Sequence, residues 1–579
     1  MAGFLDFELP LQATVTAILV EHPKQANLTA EWDALHLLLQ GQSRHPAPST
    51  EYMKSCLSKA DAEFRRCNEE IQCLQAQLVS LENEKMLIER IVSGYRTLLA
   101  PIRRVPPEIL ERILLFVCDE NHVGEFTRFP PATLTKVCSF WNELVKSSPR
   151  LWSTIKYEFR PIDRSYVAGH TPVRLLKRLL KRSGSAPLCI TVILRPAGRF
   201  GYSESWVPNA LPFRMVKTLA RHSKRWLTAF FSASSELIDG LRHVLNPIGG
   251  HLPLLKYLNF DSGYFERPRD HCITAFQNAP KLQSAILRHE SSGLLSLPWN
   301  QLQSLKLVDS RFWYAILSMA TTLKDCTLDG WDRWEGDGES DQPLKVTSNE
   351  VETLYLGLGT FDDIGVLSDL TFPKLTSFAI SARHDDMLRP PTRTPIRFEQ
   401  IASFLSRSSS VLTSLKWCNV PIDHATFISL LGNIPSLASL SIVENHEGTF
   451  QDVYGDWEDT ADTAYDKPPP LVSDKLFENL VISPQCNDHI FLPNLQDISL
   501  SQTVSWDYEP CFTAQAFLDA VKCRWLREHC QVNVKRLRAV RLVTFNSAHL
   551  DQADISILRD FAHAGLNIVV RNESGLVLC

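Results

Sequence analysis

Residues 372–380 read FPKLTSFAI, residues 434–442 read IPSLASLSI and residues 492–500 read LPNLQDISL. Each stretch sets a proline after an apolar residue and then places three apolar side chains in the spacing LxxLxL: Leu375, Phe378 and Ile380; Leu437, Leu440 and Ile442; Leu495, Ile498 and Leu500. The last two of each trio are two residues apart, so in an extended strand both point to one side, while the first anchors the turn before it. The same spacing returns at Leu255, Leu258 and Phe260; Leu302, Leu305 and Leu307; Leu323, Cys326 and Leu328; and Val351, Leu354 and Leu356. Leu412, Leu415 and Trp417, and then Leu537, Val540 and Leu542, complete the series.

One strand with its return segment cannot bury such a face alone, so successive units are expected to stack into a curved solenoid. The intervals between neighbouring first positions are uneven: 21 residues from Leu302 to Leu323, 24 from Val351 to Leu375, 25 from Leu412 to Leu437. That scatter predicts an α/β repeat, an irregular leucine-rich-repeat solenoid with helical returns, over residues 156–579. Pro187–Leu194 (PLCITVIL) and Arg225–Phe231 (RWLTAFF) read as its first strands. Two insertions interrupt it: 329–341, DGWDRWEGDGESD, and 444–466, which holds eight acidic residues and no Lys or Arg. Such stretches cannot supply a core and read as mobile, solubilising loops.

Upstream, the period changes. Leu57, Ala60, Phe64, Cys67, Ile71, Leu74, Leu78, Leu81, Lys85, Ile88, Val92, Tyr95 and Leu99 recur at alternating spacings of three and four. This is a coiled-coil seam of about six heptads across 51–99, free of proline. In a parallel homodimer Glu84 would meet Glu89, while Glu63 and Glu70 would meet only Asn68 and Gln75, and Lys85 sits on the seam itself. Packing on the rest of the chain, on another protein, or on a second copy all stay open. Residues 1–50 carry one apolar cluster, Leu35 with Leu37, Leu38 and Leu39, and no role is assigned to them.

Composition sets the class. The chain has 579 residues, too many for one core, with 44% hydrophobic and 22% charged residues. Lys and Arg number 60 against 65 Asp and Glu, a formal charge of −5, which gives no general field for nucleic acid. Leu11–Val20 is short, interrupted by Gln12, Thr14 and Thr16, and follows acidic residues, unlike a signal peptide; no run is long enough to span a membrane. The 14 cysteines form no CxxC pair, which suits reduced thiols and a cytoplasmic or nuclear protein.

Residues 101–118 read PIRRVPPEILERILLFVC. Pro106 and Pro107 suit a helix start and Glu108 complements its dipole. Ile109, Leu110, Ile113, Leu114, Phe116 and Val117 cover more than one helical face, wider than packing on a single small core requires. A second helix is expected from Thr133 to Ser147, with Leu134, Val137, Cys138, Trp141, Leu144 and Val145 on one stripe. SPRLW follows at 148–152.

VPPEILERI with KVCSFWNELV and SPRLW resembles the F-box-like domain. The coiled coil before it, the PIRR lead-in and the leucine-patterned tail resemble, more narrowly, a large family of F-box proteins from mushroom-forming fungi. The likeness is strongest over 95–155 and carried only by repeat style over the tail. Val105 stands where the family usually has leucine, and Asp119–Pro131 is long between the two helices. The resemblance implies a small three-helix F-box-like module at 100–155 that docks a Skp-type adaptor, and through it a cullin. The repeat domain would hold a protein substrate for ubiquitin transfer by a separate enzyme. Val105, Pro106, Ile109, Leu110 and Ile113 would then contact the adaptor, and Val137, Cys138, Trp141 and Trp152 would form the module's core.

On that reading the chain is no enzyme and needs no cofactor or metal. The sequence has no HExxH, P-loop, GxSxG or zinc-spaced Cys/His cluster, its 17 histidines are scattered, and Gly357 and Gly359 lack the third glycine of a nucleotide fingerprint. Arg174, Lys177, Arg178, Lys181 and Arg182 accompany Leu175, Leu176, Leu179 and Leu180 on an expected helix, read as the solvated back of a repeat. The alternatives are a leucine-rich-repeat scaffold without ligase association, and a hydrolase or transferase with an unfamiliar site. Substrate selectivity is expected at the x positions between the repeat leucines, which show no shared charge or aromatic theme.

Overall fold

A computed structural model describes residues 32–33, 35–40, 49–124, 127–159, 171–195, 211–234, 237–263, 272–289, 291–310, 312–330, 345–359, 361–382, 398–408, 411–446, 470–482, 490–504, 512–526, 534–544 and 550–572. The chain divides into two compact units, Met1–Pro106 and Pro107–Cys579.

The first unit is dominated by one helix, Thr50–Leu99. Ser49 caps it, its hydroxyl accepting from the Tyr52 amide, and Glu51 lies in the first turn and Arg96 in the last, each complementing the dipole. Arg66 bridges to Glu63 at 2.6 Å and to Glu70 at 3.5 Å along its surface. Pro101–Arg104 follows as a 3-10 turn.

The second unit is a mixed helix and strand structure around one large parallel sheet. Fifteen described strands lie side by side in chain order, from Asn121–Gly124 to Asn567–Asn572, with parallel pairing throughout. This sequential winding is solenoid-like. The repeated spacing explains the register: Leu258 pairs with Ala285, then Leu305, Cys326, Leu354, Phe378, Leu415, Leu440, Ile498 and Val540 in succession. All three apolar positions of every LxxLxL unit are buried. A parallel sheet of this kind requires a covered face, and the returns between strands supply it. Phe276 packs on Phe231 and Phe260, Phe404 on Phe378, and Phe427 on Trp417, the last at 5.3 Å between ring centres with the rings inclined at 63°.

Three arginines close the returns. Arg225 donates to the carbonyls of Ser183 and Ala186, and Arg407 to that of Leu367. Arg524, 1% exposed, donates to Leu480, Phe491 and Leu492 at 2.6, 2.6 and 2.9 Å. Carbonyls that no strand partner takes up are satisfied this way. Gly357 has its own reason: a Cβ there would collide with the Asp329 carboxylate of the adjacent strand, which pairs with Lys306 at 3.1 Å.

The sheet begins earlier than the sequence suggests. Leu188–Leu194 and Trp226–Ala233 are strands as expected, but Asn121–Gly124 and Thr154–Phe159 precede them and belong to the same sheet. The long Asp119–Pro131 segment thus contributes an edge strand. The Asn121 side chain is fully buried and donates to the carbonyls of Leu151 (3.0 Å) and Thr154 (2.9 Å), fastening that strand to the next. The insertions start later than expected: Asp329 ends the strand Asp325–Asp329, and Glu444 lies buried within Ser439–His446. Residues 331–344 and 447–469, the bulk of both insertions, lie outside the described residues.

Candidate functional site

The helix expected to carry the docking surface runs from Pro107 to Val117, with proline at its first position and Glu108 in its first turn. At 100° per residue, Leu110, Leu114 and Cys118 fall on one side, and all three are buried. This side packs on the helix Ser139–Ser147 and on the turn Pro149–Trp152. Ile109, Ile113, Phe116 and Val117 fall on another side and face solvent, at 47%, 40%, 88% and 55% exposed. One short helix therefore has two apolar faces, and the unit's own core occupies one of them.

This sorts the residues expected to touch an adaptor. Ile109 and Ile113 are brought together, one turn apart on the open face. Leu110 is corrected: it is fully buried and serves the core instead. Val105 is partly exposed and Pro106 exposed; both belong to the first unit. Phe116 and Val117, more exposed than either isoleucine, were not singled out for docking, although their spacing from Ile109 and Ile113 carried the signal.

The expected core divides in the same way. Trp152 is buried, its indole N–H donating to the Val145 carbonyl at 2.9 Å, and the Arg182 guanidinium lies over its ring at 4.4 Å. Trp141 and Cys138 are partly buried. Val137 is corrected: it is 58% exposed. The single helix expected from Thr133 is two, Pro130–Leu134 and Ser139–Ser147, separated by a turn that holds Val137. Cys138 caps the second with extended backbone, so the helical phase restarts there and Val137 drops out of the stripe. Phe140, in the first turn of that helix, is also exposed.

The basic residues Arg174, Lys177, Arg178, Lys181 and Arg182 lie on the exposed side of the helix Thr171–Arg182, while Leu176, Leu179 and Leu180 are buried. The thiols of Cys118 and Cys326 are pushed up by burial to about 11 and about 12, leaving them protonated and unreactive.

The second candidate surface is the open face of the sheet. Central positions between buried anchors carry Asn259, Lys306, Tyr355, Lys416, Ser441 and Arg541, without a common theme. Two residues earlier on the same face, Ser284, Ser304, Thr353, Ser377, Ser414 and Ser439 align across the middle of the sheet, interrupted by Asp325 and flanked by Tyr257 on one side and Asp497 and Ala539 on the other. At one end, His289 stands between Asp261 and Asp309, 3.7 Å from each. Among the described residues no group of three or more His, Cys, Asp or Glu has metal-binding geometry, and no helix is long and apolar enough to cross a membrane. No known protein family matches the chain, and no curated protein is significantly similar to it.

Proposed function

We propose that the chain is a non-catalytic adaptor of the Skp/cullin/F-box ubiquitin ligase type. Its Pro107–Val117 helix would dock a Skp-type protein, and an irregular leucine-rich-repeat solenoid formed by its parallel sheet would hold a protein substrate. The observation that carries this is the helix with two apolar faces: Leu110 and Leu114 fill the core while Ile109, Ile113, Phe116 and Val117 stand open. A contiguous apolar stripe on a folded surface suits a protein partner. The resemblance over VPPEILERI, KVCSFWNELV and SPRLW supplies the partner's identity.

The chain's contribution would be proximity alone. Holding ligase machinery by one surface and substrate by another makes lysine attack on a ubiquitin thioester nearly intramolecular. The row of small hydroxyls on the sheet leaves a low, hydrogen-bonding surface suited to a polypeptide. Titration of the full chain with a purified Skp-type protein tests the proposal. Saturable binding is expected, weakened at least a hundredfold in the double variant Ile109→Asp, Ile113→Asp; equal behaviour of the two chains, or no binding, overturns it.

A second reading, a repeat scaffold without ligase association, has one observation in its favour. The strand Asn121–Gly124 and the Asn121 clamp build the F-box-like block into the sheet. The same titration separates the two, because a scaffold ignores the Skp-type protein.

A further inference from the structure

The Thr50–Leu99 helix, taken within its own unit, has an apolar seam that no described residue covers: none of its residues is buried. Leu57, Phe64, Leu81 and Leu99 are each more than 60% exposed. The alternating three and four spacing keeps these residues on one strip, the pattern around which a second helix winds. The charges beside the strip select what occupies it and in which direction.

In a parallel, in-register pair, Lys85 would face Lys85 of the second copy within the seam, and Glu84 would lie beside Glu89 of the second copy on both sides. An antiparallel pair removes both conflicts in one register. With Phe64 opposite Tyr95 of the second copy, Ile71 opposite Ile88 and Leu78 opposite Leu81, every apolar layer is filled. Lys85 then lies against Leu74, its stem covering the leucine while its ammonium reaches toward Glu89 of its own helix, 3.9 Å away. In this register Asp61 comes beside Arg96 of the second copy, at both ends by symmetry, and no flanking pair has like charge. A shift of one heptad one way sets Asp61 against Glu89 and Glu70 against Glu84; a shift the other way sets Glu82 and Glu84 each against itself.

We infer that the long helix pairs with that of a second copy of this chain as an antiparallel coiled coil, latched at each end by Asp61 and Arg96. The overlap, from Ala60 to Leu99, is roughly 60 Å long at the usual rise per residue, ample for a specific interface. The dimer presents two copies of whatever the Pro107–Cys579 unit binds, which raises avidity. It stands independently of the adaptor reading.

The test uses the full chain. Analytical ultracentrifugation at micromolar concentration should give twice the chain mass; a monomer over the whole range overturns the inference. Asp61→Arg and Arg96→Asp should each weaken dimerisation about tenfold, and the two together in one chain should restore it, because the latch re-forms with its charges exchanged. Failure of the double exchange to restore pairing overturns the register. In a chain with Cys56→Ser and Cys73→Ser, mild oxidation should link Val92→Cys to Cys67 of the second copy, since those positions share a layer. Efficient linking of Cys67 to itself without the Val92 change would mean a parallel pair and overturn the orientation.

Discussion

The long helix and the sheet are built from the same apolar residue types, and these meet opposite fates. In Thr50–Leu99, leucines at 57, 74, 81 and 99 face solvent, whereas Leu305, Leu354 and Leu440 in the sheet are sealed. The difference lies in what each period can find within one chain. A two-residue alternation repeated every twenty or so residues places the next copy's strand alongside at the same register, so each unit covers its neighbour. A three and four alternation within a single helix needs a second helix of matching length, and the described residues of its own unit provide none. The Pro107–Val117 helix combines both conditions, one face sealed and one open. Burial marks what the chain completes for itself; exposed periodic apolar surface is where both proposals above place another polypeptide.

The largest effects are expected where the sealed side of this contrast is broken. Trp417 is buried against Phe427, and its indole N–H donates to the Val420 carbonyl at 2.8 Å. Trp417→Ala should cost about 4 kcal/mol, through a cavity and a lost hydrogen bond, measured by chemical denaturation of the full chain. A loss below about 1 kcal/mol would mean the repeats tolerate a missing anchor and are not tightly packed. Arg524→Met comes next, at about 3 kcal/mol, because three carbonyls lose a charged donor while the stem volume is kept. Hydrogen exchange should place that loss around 480–500, and a uniform loss across the sheet would argue against a local brace.

The open side predicts the reverse pattern. Phe116→Ala should change stability by less than about 0.5 kcal/mol, since the ring is 88% exposed. Under the adaptor reading it should weaken binding of a Skp-type protein roughly thirtyfold, about 2 kcal/mol, as a central aromatic anchor does. Leu110→Ala should do the opposite, destabilising the block with little direct effect on the partner. If Phe116→Ala destabilised the fold instead, the exposed face would be part of the core in solution and the contrast between faces would fail.

Legibility in the sequence followed the same division. The nine LxxLxL units were readable because spacing alone fixes which side chains share a strand face, and all of them occupy one register. The strand Ser284–Arg288 escaped because Ala285 stands where its neighbours have larger anchors. Asn121–Gly124 escaped because NHVG has no pattern of its own; pairing of Val123 with Tyr157 and the Asn121 clamp make it a strand. In the candidate site, the excess of apolar surface on Pro107–Val117 was readable, but the choice of inward face was not. Isoleucine and leucine stand side by side there, at Ile109–Leu110 and Ile113–Leu114, and the Glu111–Arg112 pair between them does not say which member packs on Ser139–Ser147. The break at Val137 was hidden too, because a tight turn between two apolar helices keeps nearly the same spacing.

The smallest effect concerns a carboxylate buried inside the sealed unit. Glu444, 8% exposed, accepts from the amides of Leu471 at 2.7 Å and Val472 at 3.1 Å, tying the end of its strand to the chain that follows 470. Burial raises its pKa above the ordinary 4.5, outweighing the two N–H donors that lower it. Because the folded state holds the proton more tightly than the unfolded chain, this group favours folding below the unfolded pKa. That contribution is lost as pH rises through the raised folded value. Glu444→Gln cannot titrate, and it keeps one oxygen for one of the two amides. The variant's stability relative to the native chain should therefore increase as pH rises from about 4.5 through the native carboxyl's folded pKa and level off above it. Paired denaturation curves across that window measure the difference. A flat difference would mean that the two amide donors, rather than burial, set the state of this carboxylate, and that even the sealed unit keeps its charge at no cost.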